Sequence, residues 1–228
     1  SITSTVSKAA ADHFSIVTYT GTGAIATVGH GLGVAPKFLV VKRRDASSDY
    51  WPSWHTALTS SYIPLDQSID QQSDSSIFNN TDPTSTVFTV GSGTNSANTN
   101  ASGGTYIAYC FAEVEGFSKI SSYKGNGSAN GPFVYCGFRP AWIMIKRYTG
   151  TGSWTIFDNQ REGYNVDNDE LVANTTAAET TTDYVDILSN GFKLRSTDAD
   201  VNYSADGYIF MAFADIAGGG DLPPIYGR

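Results

Sequence analysis

Apolar positions along this chain come in short runs separated by clusters of Gly, Ser, Thr, Asn and Asp. Runs such as Phe38-Leu39-Val40-Val41, Trp142-Ile143-Met144-Ile145 and Tyr208-Ile209-Phe210-Met211 are rich in β-branched and aromatic residues. Between them lie turn clusters: Gly21-Thr22-Gly23, residues 45–49, Asn79-Asn80-Thr81-Asp82-Pro83, Gly91-Ser92-Gly93 and Ser102-Gly103-Gly104. Such a rhythm predicts an antiparallel sandwich or barrel. Residues 38–41 and 142–145 are nearly continuous in apolar character, as expected of strands buried on both faces. In the strand around Tyr109, Ala108, Cys110 and Ala112 share one face, which suits close approach of a second sheet. Helical periodicity is sparse: residues 64–71 and 167–173 are each expected to form a single turn or a short helix.

The same pattern is written twice. Tyr19-Thr-Gly21-Thr-Gly23 returns as Tyr123-Lys-Gly125-Asn-Gly127, and Pro36-Lys-Phe38-Leu-Val-Val-Lys42-Arg43 as Pro140-Ala-Trp142-Ile-Met-Ile-Lys146-Arg147. Ser53-Trp54 matches Ser153-Trp154, Phe88-Thr-Val90 matches Phe192-Lys-Leu194, and Tyr106-Ile107 with Phe111-Ala112 matches Tyr208-Ile209 with Phe213-Ala214. Order is kept and the offset stays between 100 and 104 residues, which marks an internal repeat. The expectation is an all-β chain of two tandem, pseudo-equivalent antiparallel β-sandwich lobes, jelly-roll-like, with little helix. Residues 13–115 form the first and 116–217 the second. Residues 1–12 are a leading segment or linker, and residues 218–228 a Gly-hinged extended tail. No linker-like stretch separates the lobes at Glu113-Val-Glu-Gly116.

Charge and composition narrow the function classes. Of 228 residues 16% are charged, with 14 Lys and Arg against 22 Asp and Glu, a formal net charge of −8. Phosphate neutralisation needs a concentrated basic surface, so nucleic acid is not an expected partner. Two cysteines, each inside an apolar run, read as small core residues and not as a disulfide framework. Ser1 is not followed by the apolar core of a signal peptide. No apolar run approaches the ~20 residues that span a bilayer, so no membrane insertion is expected.

Candidate chemistry is thin. His13, His30 and His55 have no histidine at the repeat-equivalent positions, and no nucleophile elbow, metal pair or phosphate loop is present. No catalytic residue, metal site or cofactor is predicted, and the chain is expected not to be an enzyme. Asn-x-Ser/Thr sequons at Asn79, Asn100, Asn126, Asn174 and Asn202 are what chance gives in so polar a chain. The repeat supplies an internal control: positions common to both copies are scaffold, and unshared ones are where function belongs. Unshared features are Tyr50-Trp51, the loop at residues 94–100 and the acidic turn at residues 167–170. Tyr50 and Trp51, whose rings can stack on a sugar, and Asn95 and Asn98 are therefore the predicted ligand contacts.

The second copy, with Pro140-Ala-Trp-Ile-Met-Ile-Lys-Arg147, Ser153-Trp154, Leu188-Ser-Asn-Gly-Phe-Lys-Leu-Arg195 and Gly207-Tyr-Ile-Phe-Met-Ala-Phe-Ala-Asp215, resembles a repeated β domain of bacteriophage virion structural and tail-fibre-like proteins. The first copy carries a weaker form of it. The resemblance implies a place on the virion surface, as a tail-fibre or receptor-binding component that touches a host-surface glycan. Other virion proteins are the implied partners, and a homotrimer the implied assembly. The alternative is an architectural capsid-decoration or tail-assembly subunit; a polysaccharide depolymerase would need a pair of carboxylates at a cleft.

Overall fold

The computed structural model describes residues 1–9, 13–47, 49–93, 98–161, 165 and 167–215. The chain is nearly all β, built of antiparallel sheets, and divides into two compact units: Ser1–Gln67 with Gln71–Glu113, and Ser68–Asp70 with Val114–Arg228.

In the first unit the strands are β1 (Ser4–Lys8), β2 (Phe14–Thr20), β3 (Ala26–Gly29), β4 (Phe38–Arg43), β5 (Pro52–His55), β6 (Ile63–Pro64), β7 (Val87–Val90) and β8 (Thr105–Phe111). One short helix, α1 (Ser75–Phe78), precedes β7. Six strands form a sheet in the order β1-β2-β8-β4-β5-β6, and β3 pairs with β7. The run at residues 38–41 is buried throughout because it is the central strand between β8 and β5. Side chains of both sheets meet in one core: Val17, Tyr19, Leu39, Val41, Ala108 and Cys110 from the larger, Val28, Phe88 and Val90 from the smaller. The small face predicted for Ala108, Cys110 and Ala112 lies in that core.

The second unit comprises β9 (Ser118–Lys124), β10 (Phe133–Tyr135), β11 (Pro140–Arg147), β12 (Trp154–Asp158), β13 (Asp167–Val172), β14 (Thr180–Leu188), β15 (Gly191–Leu194) and β16 (Gly207–Ala214). They form one eight-stranded sheet, β10-β15-β14-β13-β12-β11-β16-β9. It curls around a core of Val134, Ile143, Ile145, Val185, Phe192 and Phe210 among others. Pairings of the first unit recur: β2-β8-β4-β5 as β9-β16-β11-β12, and β3-β7 as β10-β15. The difference is local. β14 pairs with β15 and ties both halves into one sheet, whereas α1 stands beside β7, with Gly91 N–H bonded to Ile77 O at 2.7 Å.

Two local expectations are corrected. Residues 167–172 are strand β13 and not a turn or helix, because Glu170 and Leu171 sit in ladders with Thr180 and Ile156. Residues 63–66 form strand β6 and a turn; among the described residues the short helix is α1 instead, capped by Asp74, whose Oδ1 accepts from Ser76 N–H at 2.8 Å. Cys110 and Cys136 are buried, not joined by a disulfide, and lie in separate cores. The C-terminal tail at residues 218–228 lies outside the described residues.

Candidate functional site

In each unit the loop that precedes the last strand is held by one asparagine. Asn100, fully buried, accepts from Thr22 N–H at 2.7 Å and donates to Ala24 O at 2.6 Å and Gly91 O at 2.8 Å. Asn202 does the same, accepting from Asn126 N–H at 2.8 Å and donating to Ser128 O and Ser196 O, both at 2.8 Å. The partner turns carry Gly21 and Gly125, where a Cβ would stand 2.2 Å from Ala101 O and from Tyr203 O respectively; only glycine allows that approach. Beside each clamp two tyrosines stack, Tyr19 on Tyr106 at 5.1 Å and Tyr123 on Tyr208 at 5.0 Å. Tyr106 Oη then accepts from Ala101 N–H and Tyr208 Oη from Tyr203 N–H, each at 2.7 Å. Sequence reading caught the glycines and tyrosines of this device but took the asparagines for chance sequons. Buried as they are, Asn100 and Asn202 carry no glycan.

The predicted ligand residues fall in different surroundings. Trp51 is half-buried and its ring faces Lys42 Nζ, 5.5 Å from the centroid. The same ammonium donates to Asp49 O. Arg43 bridges Asp45 at 2.8 Å and Asp49 at 3.4 Å; the hydrogen bond from Arg43 holds the Asp45 carboxyl below its ordinary range. Trp51 N–H donates to Asp66 Oδ1 at 2.9 Å, and Tyr50 packs against the core. This rim is a self-satisfied network of protein groups. Asn98 is a correction in role: it is 6% exposed and fully engaged. Its Oδ1 accepts from Asn100 N–H, Ala101 N–H and Tyr106 Oη at 2.8–2.9 Å, and its Nδ2 donates to Gly93 O at 2.7 Å, so it organises the loop from within. Asn95 lies outside the described residues.

The equivalent rim of the second unit differs. Lys146 is fully buried and donates to Gly152 O and, at 3.1 Å, to Ser68 O. Burial pushes this amine down to about 8, while Asp200 and Asp70 oppose the shift. Glu170 is also buried, accepts from Thr180 Oγ1 at 3.1 Å, and is raised by desolvation. Arg147 pairs with Asp206 and lies 4.9 Å from the centroid of the Tyr203 ring, whose other surroundings leave it 53% exposed.

Among the described residues, the exposed aromatic rings are Phe133, Tyr135 and Tyr203, all in the second unit. Phe133 and Tyr135 point outward from β10 while Val134 between them enters the core. Their cross-strand partners on β15 are Lys193 and Gly191. A run such as Phe133-Val134-Tyr135-Cys136 gives no sign by itself of which alternate set is outward; Cys136, expected in the core, lies there. On the first unit, a polar groove of about 240 Å³ is lined by Thr3, Thr5, Thr18, Thr20 and Thr105 beside Arg44. Among the described residues no group of three or more His, Cys, Asp or Glu is placed to hold a metal ion, and no helix is long and apolar enough to cross a membrane.

These features define a nearly all-β chain of two compact units in which buried asparagines tie down turns and, among the described residues, the exposed aromatic rings lie on the second unit. The chain belongs to the family described as Domain of unknown function (DUF7483), whose model matches residues 1–216 and so runs through both units. No curated protein and no solved structure matches it.

Proposed function

We propose that this chain is a non-enzymatic structural module of a bacteriophage virion, in a tail fibre or receptor-binding component, and that its second unit makes the contact with the host surface. In this reading both units descend from one jelly-roll-like sandwich, and the first keeps the scaffold role. The observation that carries it is the placing of Phe133, Tyr135 and Tyr203 in solvent where the first unit builds the same structure with Thr27, Gly29 and Ala101. Exposed aromatic rings that the fold does not need are a mark of an interaction surface. The resemblance of the second copy to virion β domains supports the setting, and the charge-poor, Ser/Thr/Asn-rich composition suits an extracellular particle. Fluorescently labelled chain should bind saturably to cells of a bacterial strain panel; absence of binding to every strain would remove the host-contact reading.

A further inference from the structure

Resting on that reading of the second unit, we propose that Phe133 and Tyr135 form a stacking platform for pyranose sugars. The two residues are alternate positions of one strand, so their side chains leave the same face about 7 Å apart. They are 45% and 63% exposed. Each ring is backed by a glycine. A Cβ at Gly191 would stand 3.1 Å from Phe133 Cζ, and one at Gly137 would stand 3.5 Å from Tyr135 Oη. Each ring thus passes close to a position without a side chain, and both remain partly in solvent.

The first unit shows that the fold does not require them. There β3 pairs with β7 through Thr27↔Thr89 and Gly29↔Val87, at the places that β10 and β15 fill with Phe133↔Lys193 and Tyr135↔Gly191. Val28↔Phe88 and Val134↔Phe192 keep the core side identical. On the outward face Thr27 and Gly29 give way to Phe133 and Tyr135, and Thr89 and Val87 to Lys193 and Gly191.

Size selects the ligand. An aromatic side chain carries about 150–250 Å², so two half-exposed rings offer about 200 Å². A standard protein partner needs about 800 Å² per side. The area matches one or two sugar residues laid by their C–H faces on the rings. Lys193, the cross-strand partner of Phe133, donates from Nζ to Gly131 O at 2.7 Å, a neutral carbonyl that leaves its positive charge in place. Apolar stacking and the Tyr135 hydroxyl are the recognising chemistry, which accepts neutral and acidic pyranoses alike.

The test compares the full chain with a Phe133→Thr/Tyr135→Gly variant that copies the first unit, and with Phe133→Tyr. Probes are neutral gluco-, galacto- and manno-tetrasaccharides and tetragalacturonate, followed by titration, with thermal midpoints as the folding control. Expected is binding of at least one probe, a loss of about tenfold or more in the double variant, and retention in Phe133→Tyr. Equal affinity in a folded double variant, or no binding of any probe, would each overturn the platform. Cell binding that survives in the double variant also overturns it while leaving the host-contact reading standing; wild-type cell binding lost on protease treatment of the cells, but not on periodate, puts a protein on the rings and overturns the sugar.

Discussion

Asn100 and Asn202 each close a turn through hydrogen bonds to three backbone groups, and their cost of removal follows from what they leave behind. Truncating the buried Asn202 leaves the Asn126 N–H and the carbonyls of Ser128 and Ser196 without this partner at a partly buried site. Asn202→Ala should therefore lower stability by about 3 kcal/mol, read from urea unfolding, with Asn100→Ala similar; a loss below about 0.5 kcal/mol would contradict the clamp. Cys110 is buried and its thiol is pushed up to about 12 by desolvation. It should react with a thiol reagent only as fast as the chain unfolds; rapid labelling of the native chain would contradict its core placement. Lys146 gives a pH dependence of definite sign. Its ordinary value is 10.5 and its folded value about 8, so between these the unfolded chain binds more protons. The penalty of burying the charge is in full below about pH 8 and is relieved as pH rises toward 10.5, so stability should rise across that window by on the order of 3 kcal/mol at most. Replacing the amine in Lys146→Met should flatten the rise relative to wild type, and an unchanged slope would sink the assignment.

At the scale of elements, the strands were legible in the sequence where residues have to be buried on both faces, as in β4 and β11, and where the repeat gave each strand a second witness. The ladders β10-β15 and β3-β7 were not, because a three- or four-residue strand has too little alternation to show which side is inward. Phe133 and Tyr135 look like core by type; only the placement of Val134 against Phe192 turns them outward. Conversely, Asn98 looks like a loop ligand by type and is consumed by four hydrogen bonds. Helix α1 was missed because its signal is a lone cap, Asp74 before Ser75-Ser76. Asp74→Ala should cost about 1 kcal/mol in thermal unfolding, and no loss would mean that packing of Ile77 and Phe78, both buried, holds the turn alone.

For the whole molecule, the chain divides into two compact units, and the family model that matches residues 1–216 runs through both. What the sequence could not show is which unit meets a partner, since that depends on which rings stay in solvent after both cores are filled. The first unit offers a half-buried Trp51 already faced by Lys42; the second offers Phe133 and Tyr135. Amide hydrogen exchange of the full chain, free and bound to surface polysaccharide from a strain it recognises, tests this division most directly. Protection should be gained at residues 133–137 and 190–194 and be unchanged at residues 42–54. Protection gained at residues 42–54 instead, or at neither place, would contradict the account.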